Sequence, residues 1–239
     1  MANIEETETK KKIISTGHPE IDKKLGGGLP IGSLTLIEGQ SDAGKSVVCQ
    51  QMIWGSLKSN YKVVVFTSEN SAKSLVKQMD SLGLGILDYM LLGNIKVYSM
   101  KPSEIKLNAS KTFDTILETI AKRSTFQLII LDSLTPIVSN TNDGELLSYF
   151  ERCKTFCDQN RTIINVIHTY AVNNDILIRL RSACDAHLKL TIEKIGDKLV
   201  KTLEVAKVRG AAQTTGNIVT FEVEPEVGMK IMPLSRAKA

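Results

Sequence analysis

One stretch decides the fold of this 239-residue chain: Ser33-Leu34-Thr35-Leu36-Ile37-Glu38-Gly39-Gln40-Ser41-Asp42-Ala43-Gly44-Lys45-Ser46. Its mostly apolar first half, Ser33–Glu38, predicts a strand. Its second half fits the pattern G-x-x-x-x-G-K-[S/T], and a helix is predicted to run from about Lys45 to Ser59. Glycines between a strand and a helix let backbone N–H groups face a phosphate, and the positive end of the helix dipole adds attraction. The stretch therefore predicts a phosphate-binding P-loop.

The side chains at the end of this loop suit a nucleotide and its metal ion. Lys45 can reach the β- and γ-phosphates, and the Ser46 hydroxyl can ligate Mg²⁺. We assign the nucleotide cradle to residues 39–46 and extend it to Val47 in the first helical turn. The cofactors expected here are ATP or ADP together with Mg²⁺. The competing interpretation, a glycine loop with an incidental lysine, is disfavoured by the strand before it and the helix after it.

Strands and helices alternate on the C-terminal side of the P-loop. Further strands are predicted at Lys62–Thr67, Ile95–Ser99, Phe126–Leu131 and Thr162–His168. The helices between them are predicted to end at Leu82, to span about Ala109–Arg123, and to span about Asp143–Gln159. This alternation predicts an α/β fold whose mostly parallel sheet is covered by helices on both faces.

After about Asp185 the pattern changes to strands joined by short loops. These strands are predicted at Ala186–Glu193, Leu199–Val208 and Ile218–Val223, with loops at Gly196-Asp197 and Gly210–Gly216. Short connections favour antiparallel neighbours, so we expect an antiparallel C-terminal extension of the same sheet. One domain is expected over residues 13–239, preceded by a polar, disordered tail at Met1–Lys12.

Composition narrows the class of protein. The formal charge of +4 does not by itself indicate a nucleic-acid-binding protein. No apolar run approaches the roughly 20 residues of a membrane span, and the N-terminus lacks a secretory signal, so a cytoplasmic protein is expected. The four cysteines, Cys49, Cys153, Cys157 and Cys184, contain no Cys-x-x-Cys pair. We interpret them as buried small residues rather than zinc ligands or disulfides.

Two carboxylates are candidates for the metal and the chemistry. Asp132 ends an apolar strand, and an Asp in that position of a P-loop protein holds Mg²⁺, here expected through water; a turn or cap residue is the alternative. Glu69 follows the strand after the P-loop helix, and it is the candidate for positioning the attacking water. The competing role for Glu69 is an acid in the N-cap region of the helix beginning near Ser71.

Polar residues at two other strand ends are further candidates. His168, at the end of Thr162–His168, is a candidate γ-phosphate sensor, or alternatively a hydrogen-bonded surface group. Strand alternation places Lys207 and Arg209 on one face, where an anion between them would relieve their repulsion. A γ-phosphate of a neighbouring subunit would be such an anion. The alternative for this pair is a solvated sheet edge that discourages aggregation.

The residues from Ser15 to Ser33, Ser-Thr-Gly-His-Pro-Glu-Ile-Asp-Lys-Lys-Leu-Gly-Gly-Gly-Leu-Pro-Ile-Gly-Ser, lead into the P-loop. This segment resembles the entry signature of RecA/RadA and KaiC-type ATPases, and Lys207-Val208-Arg209-Gly210 is similar to their trans-acting Lys-x-Arg motif. Within this superfamily, the single domain, the acidic-then-basic N-terminus and Leu131–Thr135 resemble the FlaH family of the archaellum, the archaeal flagellum. The resemblance runs from about Ile13 to the C-terminus and implies a RecA-like fold.

The resemblance also implies a working context. It implies a hexameric, ring-forming, ATP-binding component at the cytoplasmic base of the archaellum motor, held at the inner face of the membrane by partners. Those partners would be the motor ATPase FlaI, the ring protein FlaX and the membrane platform FlaJ. KaiC-like proteins usually carry two adjacent glutamates where this chain has Ser68 and Glu69. We therefore expect ATP to act mainly as a regulatory ligand that is hydrolysed slowly or not at all.

A DNA-acting ATPase of the RadA or RadB type is the competing hypothesis. Such proteins hold single-stranded DNA on two loops, which correspond here to about Ser139–Gly144 and Tyr170–Arg181. The first stretch has no Lys or Arg, and the second contains Arg179 and Arg181. A groove that binds a nucleic-acid backbone is expected to be richer in cations and aromatic side chains. A KaiC-like autokinase ranks last, because the chain has one domain rather than a duplicated pair.

Overall fold

The computed structural model describes residues 13–195, 198–213, 215 and 218–232. The predicted tail Met1–Lys12 and the predicted loop Gly196-Asp197 lie outside the described residues, as does part of the predicted loop Gly210–Gly216. The described helices are α1 to α9, at Pro19–Lys24, Lys45–Lys58, Ala72–Ser81, Leu87–Leu91, Pro102–Leu107, Ala109–Lys122, Thr135–Val138, Asp143–Cys157 and Asn174–Ala183. The described strands are β1 to β11, at Ile13–Ile14, Leu29–Pro30, Leu34–Gly39, Val63–Thr67, Ile95–Ser99, Leu128–Asp132, Thr162–His168, Ala186–Ile195, Lys198–Val208, Ile218–Glu224 and Gly228–Met232.

The main sheet has the strand order β11-β10-β9-β8-β3-β7-β6-β4-β5. Pairs from β8 through β5 are parallel, whereas β8-β9, β9-β10 and β10-β11 are antiparallel. Strands β1 and β2 form a separate antiparallel pair. The predicted mostly parallel sheet with an antiparallel C-terminal extension is confirmed.

Helices cover both faces of the sheet, so the central strands are buried along their whole length. Every residue of β3, β4 and β6 is buried. Alternate side chains enter different cores: Val65 and Ile130 pack with the P-loop helix α2, whereas Val64 and Ile129 pack with α6 and α8. This division fits a period of two along a strand that is buried on both sides. Because these strands run parallel, their carboxyl ends lie at one edge of the sheet.

Most predicted elements are present with shifts of one or two residues, but several short elements were not predicted. The unpredicted helices are α1, α4, α5, α7 and α9, and the unpredicted strands are β1, β2 and β11. Helix α9 occupies much of the stretch that was assigned to a DNA-holding loop. It begins at the cap Asn173, whose side chain accepts a hydrogen bond from the Ile176 backbone N–H, and it buries Ile176, Leu177 and Leu180. A loop interpretation of that stretch was therefore wrong.

The four cysteines are buried and carry free thiols, which confirms their interpretation as small core residues. Burial raises the pKa of Cys153 and that of Cys157, each to about 12, so both stay protonated at neutral pH. Among the residues that the structure describes, no helix is both long and apolar enough to cross a bilayer.

Candidate nucleotide-binding site

The P-loop connects β3 to α2 at the carboxyl edge of the parallel strands. Gly44 has φ +94° and caps the helix that begins at Lys45. A Cβ atom at Gly44 would lie 2.9 Å from Cζ of Phe221, on the antiparallel extension, so a side chain there would be both strained and crowded. Glycine thus lets this loop curl tightly against the extension.

A lysine and an aspartate are buried together beside this loop. Lys45 is 5% exposed, and its ammonium donates a hydrogen bond of 2.6 Å to the Gln40 carbonyl oxygen. Burial lowers the pKa of Lys45, and the negative charge of Asp132 opposes that shift. Burial raises the pKa of Asp132 to about 6, whereas a hydrogen bond with the Ser46 side chain acts to lower it.

These groups fit a nucleotide phosphate with its Mg²⁺. The Ser46 hydroxyl and the Asp132 carboxylate are adjacent oxygen donors, the kind of ligand that Mg²⁺ prefers. A buried ammonium next to a helix N-terminus suits a phosphate. A Mg²⁺ ion held by Ser46 and Asp132 would supply positive charge that neutralises the phosphates.

Glu69 and His168 both line a cavity that is formed with the P-loop. The Oε1 atom of Glu69 lies 3.9 Å from Nε2 of His168, and Nδ1 of His168 lies 3.3 Å from Oγ of Ser41 in the P-loop. Burial lowers the pKa of His168, and the positive charge of Lys45 adds to this effect. Helix α3 is capped by Ser71, whose side chain accepts a hydrogen bond from the Ser74 backbone N–H. Glu69 is therefore not used as that cap and remains available to the cavity.

The Ser68 side chain forms hydrogen bonds within the fold and does not line the cavity at the P-loop. Its hydroxyl donates to the Ser133 carbonyl oxygen at 3.1 Å and accepts from the Ser133 backbone N–H at 3.2 Å. This pair ties β4 to the end of β6. A neutral hydroxyl engaged in this way offers no carboxylate to polarise a water molecule.

This cavity has a volume of about 600 Å³, and its two walls come from segments that are distant in sequence. One wall comes from the P-loop region together with Glu69 and His168, and the other comes from Lys201 and Val223 of the extension. The ammonium of Lys201 also donates a hydrogen bond to the Asp42 carbonyl oxygen. Lys201 and Val223 were not predicted, because neither belongs to a motif and only the fold brings them to the loop.

A buried ion cluster supports the strand that leads into the P-loop. Glu38 is fully buried, with Oε1 2.6 Å from Nη2 of Arg181 on α9 and 3.1 Å from Nε2 of His187 on β8. Burial alone would raise the pKa of Glu38, but hydrogen bonds and charge from His187 and Arg181 outweigh it and lower the pKa. The cluster holds the Glu38 side chain in place at the end of β3, directly before the first residue of the cradle, Gly39.

Replacing Glu38 with glutamine is expected to destabilise the fold by about 3 kcal/mol at pH 7, because it removes one charge from a buried pair. Since the pKa of Glu38 is lowered in the folded state, its stabilising contribution is present above the unfolded value near 4.5. That contribution is lost as the pH falls through the folded value, so the difference between wild type and Glu38→Gln should shrink in acid. Urea unfolding at several pH values measures this. Glu104→Gln, in an exposed pair with Lys101, should change stability by under about 1 kcal/mol, and an equal loss in both variants would contradict the prediction.

Lys207 and Arg209 do not line this cavity in their own chain. The Lys207 ammonium donates to the Arg181 carbonyl oxygen at 2.5 Å, and Arg209 is exposed just after β9. Burial lowers the pKa of Lys207, and the nearby positive charge of Arg209 lowers it further. The two cations therefore lie near each other, although Arg209 follows the last residue of β9, so their placement on one strand face stays a prediction. Their trans-acting role stays a prediction.

Comparisons with known proteins place this geometry in a family. The model of the family described as "ATPase: KaiC" matches residues 14–236. The archaeal flagellar ATP-binding protein FlaH of Sulfolobus acidocaldarius is 29% identical over 95% of this chain and 100% of its own length. FlaH of Methanocaldococcus jannaschii is 26% identical over 91% of this chain and 94% of its length. The DNA repair protein RadA of Rickettsia bellii is 29% identical over 82% of this chain but only 38% of RadA.

Solved structures show the same fold. The crystal structure of the flagellar accessory protein FlaH from Methanocaldococcus jannaschii superposes with a TM-score of 0.82, at 24% identity, over 93% of this chain and 100% of that one. The KaiC-like protein PH0186 from Pyrococcus horikoshii gives a TM-score of 0.76 at 19% identity, over 93% and 99%. The RecA/KaiC-like fold and the homology to FlaH proteins, both expected from the sequence, are confirmed. With its family model matched over almost the whole chain, this protein belongs to the KaiC family of ATPases.

Proposed function

We propose that this chain binds ATP with Mg²⁺ as a regulatory, scaffolding component of an archaellum motor. The observation that carries the proposal is the pairing of Lys45, which lines the cavity at the P-loop, with Asp132, which is buried close to it. Two charges remain costly to bury even as a pair, and a phosphate for Lys45 with Mg²⁺ for Asp132 would give each group a ligand of opposite charge. Homology to FlaH over the whole length of those relatives supports the archaellum context.

In this proposal each site residue has a distinct role. Residues 39–47 cradle the phosphates, Lys45 neutralises them, and Ser46 with Asp132 holds Mg²⁺, Asp132 through water. His168 senses the γ-phosphate through its contact with Ser41. Glu69 is the carboxylate that polarises the attacking water, and with Ser68 in place of a second glutamate hydrolysis is slow and ATP acts chiefly by staying bound.

The proposed regulation is assembly of a hexameric ring. A ligand favours an assembled state only by binding it more tightly than the free chain. Lys207 and Arg209 of a neighbouring subunit, placed against the γ-phosphate, would supply that difference. Such a ring would lie on the cytoplasmic face of the membrane and dock on FlaI, FlaX and FlaJ.

Replacing Arg209 with alanine is expected to leave ATP affinity of the isolated chain within about twofold while abolishing ATP-dependent assembly, because the guanidinium acts in trans. The Arg209 backbone N–H, which donates to the Asp185 carbonyl oxygen, is retained in alanine. Sedimentation velocity with ATP, ADP or no nucleotide measures assembly. Arg152→Ala, which removes an exposed guanidinium paired with Asp114, is the matched control. ATP-dependent rings in Arg209→Ala would exclude the trans role.

The structure gives the DNA-binding alternative less support than the sequence did. Arg181, one of the two arginines on its second candidate loop, lies on helix α9 and pairs with buried Glu38. It is therefore not available to a DNA phosphate. A nucleotide-dependent pull-down from archaeal cell membranes separates the two functions: motor proteins support the proposal, and recombination proteins support the alternative.

A further inference from the structure

A second cavity lies at the opposite edge of the sheet from the P-loop. Its volume is about 470 Å³, and we call it the amino-edge cavity. Its lining residues lie in the segments just before β3, β4, β6 and β7, where these parallel strands begin. The apolar part of the lining is Ile31, Tyr61 and Phe126, and the polar part includes Gln127, Gln159 and Arg161.

Arg161 is the unusual member of this lining because it is a buried cation. It is only 8% exposed. One of its N–H groups donates to the Ile120 carbonyl oxygen at 2.9 Å, in the last turn of α6, and its guanidinium lies 5.0 Å from the Phe156 ring centroid. Within the described ranges of the chain, it forms no ion pair with a carboxylate. Burial lowers the pKa of Arg161, as expected for a charge held without a counter-ion.

The rest of the lining favours a negative ligand. No aspartate or glutamate is among the lining residues that the structure describes. The Oε1 atom of Gln127 already accepts the Lys62 backbone N–H at 2.9 Å, which leaves its amide NH₂ as a donor. A guanidinium and an amide donor above an apolar wall match an oxyanion carried on an apolar body.

We propose that the amino-edge cavity binds a small organic anion. Its carboxylate or phosphate group pairs with the Arg161 guanidinium, and its apolar body lies against Tyr61 and Phe126. The anion completes the charge of a buried arginine that otherwise has a helix carbonyl and a ring face as partners. This site is separate from the nucleotide cradle, which lies at the carboxyl edge of the same strands.

Benzoate is a suitable probe, because it joins a carboxylate to an aromatic body, and benzamide is its neutral counterpart. With Mg²⁺ and ATP at saturation, so that the P-loop is filled, benzoate should bind the full chain and benzamide should bind at least about tenfold more weakly. Saturation-transfer NMR measures both affinities, and inorganic phosphate in place of benzoate tests whether the head group alone suffices. Phosphate that displaces benzoate would support a shared oxyanion site.

Arg161→Gln should weaken benzoate binding at least about tenfold, while Arg161→Lys, which keeps the charge, should retain more of it. Arg152→Gln, which removes an exposed guanidinium, should leave it unchanged. If Arg161→Gln does not fold, Arg161→Lys and the benzamide comparison still decide the matter. Equal binding of benzoate and benzamide, or loss of benzoate binding on adding nucleotide, would overturn the proposal and leave Arg161 as a cap for α6.

Discussion

Lys45→Ala is expected to lower the affinity for ATP with Mg²⁺ at least about 100-fold, because it removes the buried cation that faces the phosphates. The loss should be similar for ADP if the β-phosphate is the main partner of this ammonium. Nucleotide-dependent assembly should weaken in parallel, since the differential affinity that favours a ring disappears with the ligand. Isothermal titration calorimetry gives the affinities, and circular dichroism checks that the variant is folded.

The same helix supplies a control. Lys58 ends α2, is exposed, and lies 5.5 Å over the Trp54 ring, so Lys58→Ala deletes a cation without touching the P-loop. Its ATP affinity should equal that of the wild type. Unaltered affinity in Lys45→Ala would rule out the cradle assignment.

Steady-state ATP hydrolysis is expected to be roughly 10² to 10⁴-fold slower than in a KaiC-like protein that has both glutamates, because one water-polarising carboxylate is missing. Ser68→Glu restores the second carboxylate. It also breaks the hydrogen bonds between the Ser68 hydroxyl and the Ser133 backbone, so its effect must be compared with Ser68→Gln, which breaks the same contacts without adding a charge. Phosphate release should be at least about tenfold faster in Ser68→Glu than in Ser68→Gln.

Glu69→Gln provides the complementary measurement. ATP affinity should persist in this variant and any residual turnover should fall. Turnover by the wild type at the rate of a motor ATPase would show instead that Glu69 suffices, and the regulatory role of ATP would have to be abandoned.

The main elements could be predicted because their signals are local. The predicted strands Ile95–Ser99 and Thr162–His168 agree with β5 and β7 at both ends. The missed elements have weaker local signals. Helix α4 is only five residues long, which is too short for apolar residues to show a helical period in the sequence. Helix α7 is only a four-residue turn with Pro136 in its first turn, where proline is tolerated, so it is too short to show a helical period.

The residues of the candidate site could likewise be predicted only where a local sequence signal marks them. Residues 39–47 and Asp132 are contiguous with strand or helix patterns, and the structure brings them together. Lys201 and Val223 carry no local signal, because their role depends on how the extension folds back over Gly44. The apolar lining around Arg161 was also invisible in the sequence, since Ile31, Tyr61 and Phe126 come from three separate segments.

The antiparallel extension makes nucleotide binding depend on residues far from the P-loop in sequence. Phe221 packs against Gly44 and the Lys201 ammonium donates to the Asp42 carbonyl oxygen, so the native shape of the phosphate loop is supported by the antiparallel extension. A ligand that binds only the native state therefore stabilises the P-loop and the extension together. At a concentration 100 times its dissociation constant, it raises the free energy of unfolding by about 2.7 kcal/mol. Proteolytic trimming within β9 or β10 would consequently remove the ligand's grip on the loop, although the P-loop sequence itself would be untouched.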